Sequence, residues 1–536
     1  MAPHAEPAGF LPEEHAPAVQ EAFTGFSPNG LDATTFTESE NRSHLRYTPE
    51  EELHDVVCVG FGPASLAIAV ALHDAIEGSD ANLDLPGVQA RRPKVAFLEK
   101  QSQFRWHAGM LLPGARMQIT FMKDMATMRN PRSEFTFINY LFQKDRLVEF
   151  ANLNTFLPQR IEYEDYMKWC ASWFEEVVAY DQEVVKVIPE KSASTGKINT
   201  FTVVSKNLQT GQMETRRTKH VVVAAGGRPN LPPPFPSNHP KVIHSSKFSY
   251  ISTKVLQDLQ RPYNIAVVGN GQSAAEIFDF LHTHYPNART RLLIKGGALR
   301  PSDDSPFVNE IFNPDRVDPT FNREATLRAA ALKEDKGTNY GVVRLNLLEH
   351  IYETLYIQRV RHGNSREAEE QWPHRILPHR LVTDVQDSPV IKDGIRLRVR
   401  DASPIYLPDT PNAKEKEEVM DMDAVFVATG YQRDLHEILL QDARHMMPGG
   451  NQEGAKWQVG RDYRMRFADQ QVSDDAGVWL QGCCESTHGL SDTLLSILAT
   501  RGGEMVQSIF GGKNAHGGEW NGGLGFADVQ QGVRNY

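Results

Sequence analysis

The chain has 536 residues, more than one hydrophobic core usually organises, so two or three domains are expected. Its 68 acidic and 57 basic residues leave a net charge of -11, which argues against nucleic acid or an anionic membrane as partner and favours small soluble substrates. No run approaches the roughly 20 apolar residues that span a bilayer, no basic and apolar leader opens the chain, and the four cysteines lack C-x-x-C spacing, so the expectation is a cytoplasmic protein without a disulfide framework or zinc-cysteine site.

Residues 1–50, rich in Pro, Ala, Glu, Ser and Thr and without periodicity, read as a flexible tail. Next comes Asp55-Val-Val-Cys-Val-Gly60-Phe-Gly62-Pro63-Ala-Ser65-Leu66, an apolar strand that breaks at two glycines and continues as a helix. This is the arrangement whose free N–H groups receive a dinucleotide pyrophosphate. A second strand, Lys94-Val-Ala-Phe-Leu-Glu99, ends in an acid. In such folds a carboxylate there accepts hydrogen bonds from a ribose, so Glu99 is either that group or a surface acid at a strand end.

Gln101 to Arg132 mixes aromatics, thioethers and a few polar groups, as pocket linings do. Trp106, Met110 and Met117 read equally well as core, whereas Gln118 and Lys123 among apolar neighbours are harder to explain by packing. Glu162 to Val178 has the period of an amphipathic helix that buries Tyr163, Tyr166, Trp169, Cys170 and Phe174. Strands follow at 183–188 and 201–204, another apolar strand closes on Gly226-Gly227, and the proline-rich stretch 229–240 suggests a crossing between domains.

Asn264-Ile-Ala-Val-Val-Gly269-Asn-Gly271-Gln272-Ser273-Ala274 repeats the strand, turn and helix design. One such loop is a weak signal; two in one chain, each closing an apolar strand, are a strong one, and the common pairing is FAD with a nicotinamide nucleotide. The following strand ends at Lys295, which is either an exposed strand-end base or a partner for a 2′-phosphate favouring NADPH. Arg300–Pro314 and Gly337–Gly341 read as polar loops and turns around a pocket, and 361–371 and 408–418 as solvated insertions. Asp421 to Tyr431 is a further strand closing on a glycine. Ser486–Asp492 leads into a helix expected from Thr493 to Phe510, with Ser491 in the N-cap place.

These stretches resemble the flavin-dependent N-hydroxylating monooxygenases, most closely those acting at N5 of L-ornithine. The resemblance rests on Gly60-Phe-Gly-Pro-Ala-Ser-Leu66, Met117-Gln-Ile-Thr-Phe-Met-Lys-Asp124, Gly269-Asn-Gly-Gln-Ser-Ala274, Pro301-Ser-Asp-Asp-Ser-Pro-Phe-Val-Asn-Glu310, Ala428-Thr-Gly-Tyr431 and Ser486-Thr-His-Gly-Leu-Ser-Asp492. It implies an α/β fold of two Rossmann-like domains, for FAD and NADPH, with a substrate pocket at their junction. The expected limits are 51–255 and 406–510 for the FAD domain, 256–405 for the NADPH domain, and a second tail over 511–536.

The resemblance further implies that Lys123 and Asn309 hold the α-carboxylate and α-amino end of ornithine, with Asn339 and Ser491 as further contacts. Cofactor contacts are expected from Gly60, Gly62, Pro63, Ser65, Glu99, Lys100, Trp106, His107, Gln118, Thr429, Gly430, Tyr431 and Leu490, with Gln118 against the flavin. Gly269, Gly271, Gln272, Ser273 and Lys295 fall to NADPH. Reduced flavin would capture O2 as a C4a-hydroperoxide that hydroxylates the ornithine side-chain amine, the first step of hydroxamate siderophore biosynthesis, with NADP+ retained during turnover. No metal and no side-chain nucleophile is required. The resemblance also implies a homotetramer. A lysine or small-diamine N-hydroxylase and a non-catalytic NADPH-sensing flavoprotein are the competing readings, whereas a flavin disulfide reductase would need a redox dithiol that the chain lacks.

Overall fold

A computed structural model describes residues 43–83, 85–403, 417–450, 452 and 454–511. Residues 1–42 and 512–536 of the expected tails, and residues 408–416 of the expected insertion, lie outside them. Within the stretch expected as the first tail, residues from 43 onward are packed: Leu45 is 1% exposed and the Ser43 N–H donates to the Trp173 carbonyl at 3.0 Å.

Two parallel arrangements of strands, each opened by a strand that ends in one of the glycine turns, carry the α/β fold. In the first sheet the order is Val178–Ala179, Val95–Leu98, His54–Val59, Met213–Val223, Ile198–Asn207, Gln182–Lys191. Met213–Val223 pairs with His54–Val59 along one edge and is long enough to serve two partners along the other. Its first half pairs antiparallel with Phe201–Lys206, and its second half pairs in parallel with Gly477–Leu480, Gly477 opposite His220. The central strands are buried on both faces, which is why they read as unbroken valine runs: Val57, Val221, Val222 and Val478 are all 0% exposed.

The second sheet runs His374–Leu377, Arg289–Leu293, Asn264–Val268, Ala424–Val427, Val242–His244, all parallel. An antiparallel trio, Arg380–Asp387, Ile395–Asp401 and Glu417–Met422, packs Val382, Leu397 and Val399 against it. Both outer limits differ from the expected 256–405. The strand Ala424–Val427 joins this sheet, with Ala424 opposite Ile265, and not the first one. An all-apolar parallel strand fits any sheet covered on both faces, so its composition does not say which sheet it enters.

The chain passes between the sheets twice, and the two passages touch. Arg228–Pro229 pairs antiparallel with Tyr431–Gln432, and Arg228 grips Asp434 through two hydrogen bonds of 2.7 Å. The amphipathic helix spans Arg160–Ser172 and buries the aromatics expected of it; it stops before 178 because Glu175–Val177 tightens into a 3-10 turn that leads into the edge strand.

Helix Pro63–Glu77 lies under helix Leu498–Phe510, and the contact is made at Gly502, where an added Cβ would stand 2.6 Å from the Ala67 carbonyl oxygen. The lost methyl is what lets the two backbones meet. Gly502→Ala should therefore destabilise the protein even though alanine is the better helix former: overpacking costs about 1–3 kcal/mol against about 1 kcal/mol of propensity gained. Thermal unfolding followed by release of flavin fluorescence should show a lower Tm, and an unchanged or higher Tm would mean that the helices separate freely.

Candidate active site

Gly60 has φ +90°, and a Cβ there would lie 2.8 Å from the Ala224 carbonyl oxygen, so the turn folds back on the neighbouring strand end as only glycine can. Gly62 precedes helix Pro63–Glu77, no side chain caps that helix, and Pro63 has no N–H to satisfy. Its first turn therefore keeps amide donors for an anion. Glu99 is 7% exposed and accepts the Phe61 N–H at 2.8 Å and the Gln101 N–H at 2.9 Å, so the carboxylate stands at the turn and not on the surface. Lys100 beside it is exposed.

Two buried groups near this turn lack partners among the described residues. They are the Ser65 hydroxyl and both polar atoms of the Gln481 side-chain amide. Gln481 follows strand Gly477–Leu480, and its N–H donates to the Val223 carbonyl, which places it at the same sheet end as Gly60. Orphaned buried groups cost about 1–3 kcal/mol each, and a ligand with donors and acceptors relieves that cost, so the donor set fits a dinucleotide. Sequence reasoning passed over Gln481; the available signal was a polar residue closing an apolar strand.

The second turn repeats the geometry. Gly269 has φ +141°, and a Cβ would fall 2.5 Å from the Ala428 carbonyl oxygen; Gly271 opens helix Gln272–His284, again without a side-chain cap. The Gln272 amide is already committed: it donates to Glu276 at 2.8 Å and accepts the Arg344 N–H at 2.9 Å. Ser273 stands next to it, half-buried. Lys295 is exposed, two residues beyond Leu293, whose carbonyl accepts the Gly269 N–H at 3.1 Å, so it lies at the same sheet end.

Thr429, Gly430 and Tyr431 sit on the crossing ribbon. The Thr429 hydroxyl donates to the Asn230 carbonyl, His244 Nε2 approaches the Gly430 carbonyl at 2.9 Å, and the Tyr431 ring meets His107 at 5.6 Å and His244 at 5.3 Å. Close by, Gly109 passes so near the chain at Ser246 that a Cβ would overlap the Ser246 carbonyl. Trp106 packs edge-on against Tyr163 at 6.1 Å. Trp106 and His107 thus stand where the first domain's loop presses on the chain entering the second sheet.

The loop 117–124 is held from both ends. Met117 and Phe121 donate their N–H groups to the Pro158 and Phe156 carbonyls at 2.9 Å each, and the Asp124 carboxylate, 2% exposed, accepts from the N–H groups of Ala126, Thr127 and Phe137 and from the Thr127 hydroxyl. Arg344, missed from sequence for want of any local pattern, ties this loop to the second turn: its guanidinium donates to the Met117 carbonyl at 3.1 Å while its N–H holds Gln272. Lys123 lies between these anchors. Its side chain is half-buried, its ammonium meets no acceptor among the described residues, and burial lowers its pKa. Gln118 is exposed on the same loop.

The remaining predicted residues gather elsewhere. Asn309 closes the short helix Pro306–Asn309, exposed, with its amide donating to the Asp304 carbonyl at 3.0 Å. Asn339 is the last residue of helix Ala325–Asn339, where a turn was expected; the turn comes after it, at Gly341 with φ +72°. Leu490 and Ser491 are buried in the 3-10 turn Leu490–Thr493. The final helix begins at Leu498 and not at Thr493, so Ser491 is not its N-cap. Extended backbone at Leu494 separates turn from helix, and Asp492 locks the turn by accepting the Cys484 N–H at 2.6 Å and pairing with buried Arg501 at 2.9 Å. Leu490 and Ser491 line a cavity of about 210 Å³ with Ile311, two residues beyond Asn309; Lys123 does not line it.

Two uncapped glycine turns, one at the carboxyl end of each sheet, with a carboxylate at the first and buried polar groups turned toward it, define a two-dinucleotide oxidoreductase of the flavoprotein type. A sequence model of the L-lysine 6-monooxygenase/L-ornithine 5-monooxygenase family matches residues 52–433, and the chain belongs to that family. It is 72% identical over 511 residues to an L-ornithine N(5)-monooxygenase of Cochliobolus heterostrophus, covering 95% of this chain and 96% of that one. Among solved structures it is similar to ornithine hydroxylase from Pseudomonas aeruginosa, with TM-score 0.73, 35% identity and coverage of 86% and 99%. It is also similar to the ornithine N-hydroxylase of Kutzneria sp. 744, solved with reduced FAD, NADP+ and L-ornithine, with TM-score 0.72, 34% identity and coverage of 85% and 99%.

Asp124 is the anchor whose loss should be felt most. Asp124→Ala strands three N–H groups, those of Ala126 and Phe137 buried and that of Thr127 half-buried, each bonded to a carboxylate at about 1.5–3 kcal/mol, so a loss of at least about 3 kcal/mol in urea unfolding is expected. A loss below about 1 kcal/mol would show that the loop holds without it.

Proposed function

We propose that the protein catalyses N5-hydroxylation of L-ornithine with FAD, NADPH and O2, and so opens the assembly of a hydroxamate siderophore. The observation that carries the choice of ornithine is the 72% identity to an L-ornithine N(5)-monooxygenase, because the family model admits L-lysine as well. Bound flavin supplies the activation of O2; the side chains bind, orient and exclude water.

The Gly60–Gly62 turn, Glu99, Ser65 and Gln481 would hold the ADP half of FAD, and the Gly269–Gly271 turn with Ser273 and Lys295 the NADPH. Gln272, committed to Glu276 and Arg344, would shape the second site more than reach across it. Lys123 offers what an incoming α-carboxylate needs, a half-buried ammonium without an acceptor among the described residues. Asn309, Asn339 and Ser491 would take up the remaining polar groups of the amino acid. One methylene distinguishes lysine from ornithine and is worth only about 1–3 kcal/mol, so selection would rest on where the amine sits relative to the flavin. A homotetramer and a cytoplasmic location belong to the same proposal. Among the described residues no helix is long and apolar enough to cross a membrane, and light scattering would measure the assembly.

Product analysis with ornithine, lysine and a diamine is the direct test: hydroxylated ornithine as the main product is expected, and equal turnover of lysine would refute the assignment. Lys123→Ala should raise the ornithine KM by about tenfold to 100-fold, as loss of a charged hydrogen bond of about 1.5–3 kcal/mol implies, while NADPH still reduces the flavin. Equal loss of both half-reactions would assign Lys123 to the fold instead.

The pH profile should separate two groups. The substrate amine must be neutral to act as nucleophile, so kcat should climb on the alkaline side of neutrality. Burial lowers the Lys123 pKa, so its charge is lost earlier than that of an exposed lysine as pH rises; kcat/KM should turn down there, and Lys123→Arg should move that fall to higher pH.

A further inference from the structure

Helix Pro63–Glu77 carries a second polar cluster at the end away from its glycine turn. His73 and Glu77 are four residues apart and share one face, and His44 reaches them from the segment that enters the fold. His44 Nε2 lies 2.8 Å from Glu77 Oε1, His73 Nε2 lies 3.3 Å from the same oxygen, and the imidazole rings stack at 4.8 Å. One donor atom from each residue falls within 4.8 Å of the others.

His73 is hard to account for by packing. It is 1% exposed, set edge-on against Phe135, Trp173 and Phe174; its Nδ1 has no hydrogen-bond partner among the described residues, and its Nε2 has only the 3.3 Å approach to Glu77. A leucine would fill that floor without leaving buried polar atoms unpaired. Asp74 on the same helix is already taken by Arg129 at 2.7 Å and Ser133 at 3.0 Å. Glu134 lies close enough for the charges of Glu77 and His44 to act on its carboxyl.

We propose that His44, His73 and Glu77 form a binding site for a divalent cation of the zinc type, which fastens the entering segment to the helix that carries the first glycine turn. Two imidazoles and one carboxylate suit Zn2+ or its analogue Co2+ and not the all-oxygen preference of Ca2+ or Mg2+. Three protein ligands leave a fourth position for water or Glu134. The ion's role is structural: the segment is otherwise held by the burial of Leu45 and the Ser43 contact with Trp173.

The test uses full-length, FAD-loaded protein stripped with a chelator and titrated with Co2+, whose ligand-field band lies to the red of flavin absorption. One equivalent should bind, Zn2+ should displace it, and Zn2+ should raise the Tm. His44 and Glu77 are each about one-third exposed, so their variants should fold. His44→Gln keeps a hydrogen bond to Glu77 but is a poor ligand; it and Glu77→Gln should retain the FAD spectrum, lose about tenfold or more in Co2+ affinity, and lose the Zn2+ effect on Tm. Absence of saturable binding, or equal affinity in wild type and both variants, would overturn the site and leave a hydrogen-bonded cluster.

Discussion

The rest of the structure depends on two backbone approaches that no side chain could share. At Gly60 the turn comes within van der Waals contact of the Ala224 carbonyl, and at Gly269 of the Ala428 carbonyl. In each case a strand end, the turn and the neighbouring strand end are drawn together at the carboxyl edge of a parallel sheet, and the next helix starts there without a side-chain cap. The consequence is a pair of donor-rich, positively polarised helix starts whose N–H groups the protein leaves to a ligand. A fold that left them capped would be more self-sufficient and would bind nothing.

What joins the two halves is equally local. The paired passages at Arg228–Pro229 and Tyr431–Gln432, the press of Gly109 on Ser246, and Arg344 with one hand on Met117 and the other on Gln272 all lie near the junction. The Arg228–Asp434 pair is half-exposed on both sides and adds little stability, so the backbone pairing carries that contact. Arg344 is different: burial lowers its pKa, yet an arginine stays charged there, and its donors couple the loop that bears Lys123 to the second nucleotide turn.

Much of this was legible in sequence because it is local. Valine runs that end in glycine, an acid one strand later and a repeat of the whole pattern need only neighbouring residues to be recognised, and the turns, Glu99 and the α/β class stand where they were expected. The failures were all long-range or about boundaries. The strand at Ala424–Val427 looks the same whichever sheet it joins; the helix start at Leu498 depends on Asp492 being held by Arg501 and Cys484; and Gln481 and Arg344 gain meaning only from what lies opposite them. His73 was hidden for the converse reason: within a helix of small apolar residues it reads as packing until its buried Nδ1 is seen to lack a partner among the described residues.

Under the proposed function, the placing of Lys123 outside the lining of the Ser491 cavity would have a chemical use. Lys123 is fixed by the first domain's loop and, through Arg344, by the second nucleotide turn, whereas Ser491 is fixed by the C-terminal turn that Asp492 and Arg501 lock to the first domain's helices. An amino acid that touched both sides would be measured between elements set by different parts of the chain, so its length would be judged against the fold and not against one loop. The half-buried Lys123 ammonium would sharpen that measurement, because a carboxylate that reached it would gain a partly desolvated partner, while one held short would leave the charge without one. Discrimination then comes from the penalty on the misplaced substrate as much as from attraction to the right one.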